Sequence, residues 1–265
     1  MAEPQTGYRL VIHSEGVDPH LIRDLLAEEL DMHGTDAMRL AAHAPGVIPH
    51  ELSLDKVRIL VERLTQAGLD AEGWLADQLP DLSGPREVHR LQCLAGGLQT
   101  VGLRNEPEHW VPWSQIELIS VGMVPQVPKQ RRVESPGWSR VSGAAAATAF
   151  GPIASAFRPR VSKTIKVQQP SVVELWIVRN RPVQALRIHQ EQMNYEYLAD
   201  RLQSSSAANF RLFLEDLLRS APQASITPAT HSFLVYERPG RHHFSSSQQL
   251  MEYTTWQLLI RWRSQ

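Results

Sequence analysis

Eleven histidines and a single cysteine are the residues through which this chain could ligate a metal or attack an electrophile. His33, His43 and His50 come from one region and could converge, but no cysteine or carboxylate stands at the short spacings that zinc sites use. His242 and His243 are adjacent, and with Arg241 beside them they read as a solvated turn. His89 precedes Cys93 by four positions, and residues four apart in a strand share a face, so a thiol–imidazole pair is geometrically conceivable. Cys93 nevertheless sits in an apolar run and reads as a small buried hydrophobe. Gly-x-Gly-x-x-Gly, P-loop, Gly-x-Ser-x-Gly and His-Glu-x-x-His patterns are all missing from the sequence. An enzyme would therefore have to assemble its site from dispersed residues, with His89, Cys93, Glu117 and His189 as participants. No cofactor motif and no metal-binding motif is legible.

Those residues must be carried by more than one folding unit, because 265 residues exceed one small domain. The formal net charge of −1 hides a split. Residues 1–80 hold 14 acids against 6 Lys/Arg, and residues 129–166 hold 8 Lys/Arg against one acid, Glu134. One cysteine excludes an intramolecular disulfide. The first residues show no basic start followed by an apolar core, and the longest low-polarity run, 143–157, is short and broken by Pro152. A cytoplasmic protein without a transmembrane segment is expected.

Residues 8–72 carry a complete small-domain pattern. Tyr8 to His13 reads as a strand. Leu21, Ile22, Leu25, Leu26 and Leu30 recur at helical spacing, with Asp18 as N-cap and Pro19 at the first helical position. A short second helix spans about Asp36 to His43 and stops at Pro45-Gly46, and 47–50 supplies a short extended link. Ser53 caps a third helix whose buried stripe is Val57, Leu60, Val61 and Leu64, closed by Gly68.

This order resembles the C-terminal domain of the bacterial ribosomal stalk protein and the related fold of the Clp protease adaptor ClpS. The matching residues are Tyr8–His13, Ala37, Leu40, Ala44-Pro45 and the run from Ser53 to Gly68. The stalk domain meets translation factors through basic residues and a glycine turn between its first two helices. In the same register the glycines fall on Asp31 and His33, the lysine after the turn is Thr35, and a first-helix lysine is Asp24. A cationic surface has become anionic, so a partner held by positive charge would be repelled. ClpS-type adaptors begin their first helix after an Asn-Asp pair that recognises an amino terminus. Here that place reads Ser14 to Asp18, where Glu15 and Asp18 read as turn and cap, although they could still face a cationic group.

From Glu87 the periodicity becomes that of strands. Val88–Leu94 and Leu98–Leu103 flank a Gly96-Gly97 turn, Gln115–Gly122 adds a strand, and Val172–Val178 and Val183–His189 form a hairpin around Asn180-Arg-Pro182. Helical patterns follow at Tyr195–Leu202, at Asn209–Leu218 with Asn209 or Ser206 as cap, and at Ser247–Trp262. His231–Glu237 reads as a strand. The expected class is α+β, with a stalk/ClpS-like α/β module over 1–80. An antiparallel barrel-like or curved sheet over 84–265, plugged by Phe210, Leu214 and Leu217, follows it with C-terminal helices. At the level of element order this part resembles the pleckstrin-homology-like arrangement. The Pro-, Ala- and Arg-rich stretch at about 124–170 reads as an insertion or linker.

The function expected from this pattern is non-enzymatic protein interaction or adaptor work. Asp24, Glu28, Asp31 and Asp36 form an acidic helical surface for a basic protein partner. Trp110 and Trp113, flanking Val111-Pro112, are a possible aromatic contact if exposed, with burial the expected state. The C-terminal stripe Leu250, Tyr253, Trp256, Leu259 and Ile260 is a second candidate interface. The basic 129–166 segment would hold an anionic polymer or membrane surface electrostatically, but no base-reading element accompanies it, so nucleic acid is not the expected partner.

Overall fold

The computed structural model describes residues 7–101, 107–126, 171–235 and 241–265. Residues 1–125 and 171–265 form one compact unit, and 126–170 a separate segment. The basic stretch and nearly all of the expected linker therefore lie outside the described residues.

The N-terminal pattern folds as its local signals dictate. β1 (Tyr8–Ile12), α1 (Pro19–Leu30), α2 (Gly34–Ala41), β2 (Gly46–Val47), α3 (Leu54–Gln66) and β3 (Ala71–Leu75) follow in order. The Asp18 carboxylate accepts from the His20 N–H at 2.9 Å, and the Ser53 hydroxyl accepts from the Lys56 N–H, each satisfying an otherwise orphan helix donor. Gly68 closes α3 at φ +80°, a left-handed conformation that glycine adopts without a Cβ penalty. The sheet is antiparallel in the order β2-β1-β3. Alternation along β1 separates its two faces. Leu10 and Ile12 enter a core with Ile22, Leu26, Leu60 and Leu64 of the helices, whereas Val11 is buried on the opposite face.

The strand-rich part comprises β4 (Arg86–Val88), β5 (Arg90–Leu94), β6 (Gly97–Val101), β7 (His109–Pro112), β8 (Ile116–Pro125), β9 (Ser171–Arg179) and β10 (Gln184–His189). Then come a 3-10 segment at Glu196–Arg201, α4 (Ser206–Ser220), β11 (Ser225–Ile226), α5 (Pro228–Leu234) and α6 (Ser247–Arg263). The fold is α+β, but the expected antiparallel barrel is corrected in two respects. One five-stranded sheet runs β11-β8-β9-β10-β4 and a three-stranded sheet runs β5-β6-β7, with no closed barrel among the described residues. The β10–β4 and β11–β8 pairs are parallel, so the larger sheet is mixed. The two sheets meet at a corner, where the His89 N–H donates to the Val101 carbonyl at 3.0 Å. This curvature makes room for α4, whose Phe210, Phe213, Leu214 and Leu217 are all fully buried against it, so the expected plug is present in an open sheet.

Two local expectations fail for identifiable reasons. Residues 228–234 are helical because Thr227 caps them, its hydroxyl accepting from the Thr230 N–H at 3.2 Å, with Pro228 at the first position. Phe233 then packs edge-on against Phe210 at 6.0 Å, and residues 236–237 of the expected strand lie outside the described residues. The cap of α4 is Ser205; Asn209 instead closes the preceding loop, accepting from the Gln203 N–H and donating to the Gln203 carbonyl.

α6 joins the two parts. Leu250 and Leu258 pack on Leu118, Trp176 and Val178 of the larger sheet, while Trp256 and Leu259 pack on Val11 of the module's sheet. A helix apolar on two sides belongs between two surfaces. At ~1.5–3 kcal/mol for each fully buried large apolar side chain, these contacts are a substantial part of what couples the parts. The close seat on the larger sheet depends on Gly122, where a Cβ would stand 2.7 Å from the Phe244 ring and 2.8 Å from Leu250.

Candidate functional site

The four predicted acids occupy the outer surface of α1 and α2, and the helices position them by their caps. Asp24 pairs with Arg23 at 2.6 Å, Glu28 with Arg63 at 2.7 Å and Asp36 with Arg39 at 3.0 Å. Asp31 ends α1 at φ 50° and carries no ion pair among the described residues. The arginines reduce the charge without cancelling it. Residues 15–43 contain seven acids and two arginines, and the side chains of Asp24, Glu28 and Asp36 are 66, 67 and 58% exposed. Glu29, which also pairs with Arg63, adds to the same surface.

The tryptophan pair is divided. Trp113 is buried and donates its indole N–H to the Leu94 carbonyl at 2.8 Å. Trp110 is 44% exposed and lies across the Gly96-Gly97 turn, so one ring alone is available as a contact.

The dispersed residues that an enzyme would need have separate neighbours. Cys93 lies beside Tyr197, Asp216 and Arg201; burial, reinforced by the Asp216 charge, pushes its thiol up to about 12, far from a reactive thiolate. Arg201 grips Asp216 with two hydrogen bonds of 2.9 and 2.6 Å and holds that carboxyl below the usual carboxylate range. Glu117 accepts from the Trp262 indole at 3.0 Å and faces Arg261, an arrangement that pins the end of α6. His189 sits 3.6 Å from both Glu87 and Glu174. Glu174 is in turn bonded by the Ser247 hydroxyl at 2.6 Å, and Arg187 bridges Glu87 and Ser247. This polar cluster fastens the start of α6 to the sheet through Ser247 and Arg187. The His242-His243 pair is corrected as well: His242 is buried, with its ring against the Ser232 hydroxyl at 3.1 Å. Among the described residues no group of three or more His, Cys, Asp or Glu is placed to hold a metal ion. No described helix is long and apolar enough to cross a membrane.

Two cavities lie where sequence reasoning named only an interface stripe, along the seam between the module and α6. A cavity of about 460 Å³ is lined by Arg9, Val47, Leu79, Leu82, Met251 and Thr255 among others. A second, of about 330 Å³, is walled by Pro45, Pro228, Phe244, Tyr253 and Trp256, with Glu15, Arg241 and Glu252 among its charged groups. His43 and Glu252 line both cavities and meet at 3.1 Å across the seam. Gln248 holds the other Glu252 oxygen at 2.9 Å. Burial pushes the Tyr253 phenol up, while the Ala229 N–H and Thr227 hydroxyl pull it back; Glu15 and Arg241 act on it with opposite signs. Trp256 is 3% exposed, yet its indole N–H finds no acceptor among the described residues.

No family model, curated protein or solved structure matches the chain.

Proposed function

We propose that this protein is a non-enzymatic adaptor that binds a basic protein partner through the acidic outer surface of α1 and α2. The observation that carries the reading is the persistence of exposed negative charge after folding: Asp24, Glu28, Glu29, Asp31 and Asp36 outnumber Arg23, Arg39 and Arg63, and three of the four predicted acids are more than half exposed. Such a surface steers a cationic partner and repels anionic ones. The strand-and-three-helix order of the module, with its own core, supports kinship to the stalk and ClpS-like folds, and the lone cysteine suits a cytoplasmic setting. The strand-rich part then acts as the platform that α6 fixes to the module.

The test is capture from native lysate by the full chain and by an Asp24/Asp31/Asp36→Lys variant whose fold is verified by circular dichroism. The reading expects a specific basic protein to be retained by the native chain, lost from the variant, and released by raised salt. Equal capture by both chains, or none by either, rejects the acidic surface as the binding site.

A further inference from the structure

We propose that the smaller cavity at the seam is a binding site for a free α-amino acid with a bulky apolar side chain. The inference is independent of the adaptor reading and rests on the cavity's own chemistry. Its volume of about 330 Å³ falls at the small end of the ~300–1,000 Å³ range of ligand pockets, and its walls are largely apolar and aromatic. Phe244, Tyr253, Pro45 and Pro228 offer surface to an apolar body, and Ala42 and Ala44 leave room on the module side.

The charged groups narrow the ligand further. Both oxygens of Glu252 are already held, by His43 and Gln248. Glu15 and Arg241 are different: neither has a hydrogen-bond or ion-pair partner among the described residues, although both act electrostatically on Tyr253. A simple carboxylate would meet Arg241 but be repelled by Glu15, and a simple amine would meet the reverse. A zwitterion satisfies both, with its ammonium toward Glu15 and its carboxylate toward Arg241. The Trp256 ring contributes an aromatic wall to the cavity, while its indole N–H is closed off from solvent. The larger cavity offers no comparable pair, because Arg9 already faces Glu51 and Asp81 is held by Ser83.

Isothermal titration of the full chain tests this with L-phenylalanine, L-tryptophan, L-leucine, L-isoleucine and L-methionine as probes. N-acetyl-L-phenylalanine and L-phenylalaninamide serve as end-blocked controls. At least one free amino acid is expected to saturate one site per chain, and blocking either end is expected to weaken binding about ten-fold or more. Glu15→Gln should erase the preference over the N-acetyl form, and Arg241→Gln the preference over the amide; both residues are exposed, so folding survives. The proposal is overturned if none of the five saturates by ~10 mM, weaker than useful recognition. It is equally overturned if the blocked forms bind as well as the free one, or if the Glu15 and Arg241 variants discriminate like the native chain.

Discussion

The acidic surface of α1 and α2 and the cavity under α6 are built in opposite ways. The first is a property of one stretch of chain: its acids lie within thirteen positions, from Asp24 to Asp36, on two helices whose caps are local. The second exists only because Glu15 and His43 near the start of the chain meet Phe244, Tyr253 and Trp256 near its end. A charged surface tolerates change because water solvates whatever the protein does not pair. The buried contacts of the seam do not, since Trp256, Leu259 and Val11 are packed against one another.

The contrast is sharpest in stability. Trp256→Ala should open a void between Val11 and Leu259 and cost ~3–5 kcal/mol in equilibrium denaturation, the range for large aromatic truncations in cores. Gly122→Ala should cost less, about 1–3 kcal/mol, because its Cβ forces Phe244 and Leu250 outward. Asp216→Asn removes the charge from a carboxylate bonded twice by Arg201 and should cost about 1–3 kcal/mol at neutral pH. The Asp216 carboxyl is depressed in the folded state, so its contribution is fully present above the unfolded value of ~3.9 and disappears as pH falls through the folded value. Urea midpoints of the native chain and the Asn variant should therefore converge in acid. The Asp24/Asp31/Asp36→Lys variant should shift stability by no more than ~1 kcal/mol, since its pairs are exposed. Smallest of all is the expected reactivity of Cys93: with its thiol at about 12, labelling by a disulfide reagent at neutral pH should be slow until the chain unfolds.

The same contrast explains what was legible in the sequence. Asp18-Pro19, Ser53 and Gly68 act within a few residues of themselves, so the module could be read element by element. The β9–β10 hairpin was equally open to reading, because its turn lies between two apolar runs. Within His231–Glu237, which reads as a strand, Phe233-Leu234-Val235 is an apolar run too short to declare a period, and the Thr227 cap makes residues 228–234 helical. The stripe Leu250, Tyr253, Trp256 and Leu259 looked like a single interface. In the structure these residues divide between two sheets, a distinction that helical spacing does not contain. The acidic residues were identifiable by type, but the arginine that answers Glu28 comes from α3, brought there by tertiary packing. Nothing local marks Glu15 and Arg241 as belonging to one cavity.

The most direct measurement is quantitative capture of basic proteins from native lysate by three chains in parallel: native, Asp24/Asp31/Asp36→Lys, and Arg241→Gln. The account predicts that the charge-reversed chain alone loses its partner, while the seam variant captures as the native protein does. Undiminished capture by the charge-reversed chain would contradict the assignment of partner binding to the surface of α1 and α2.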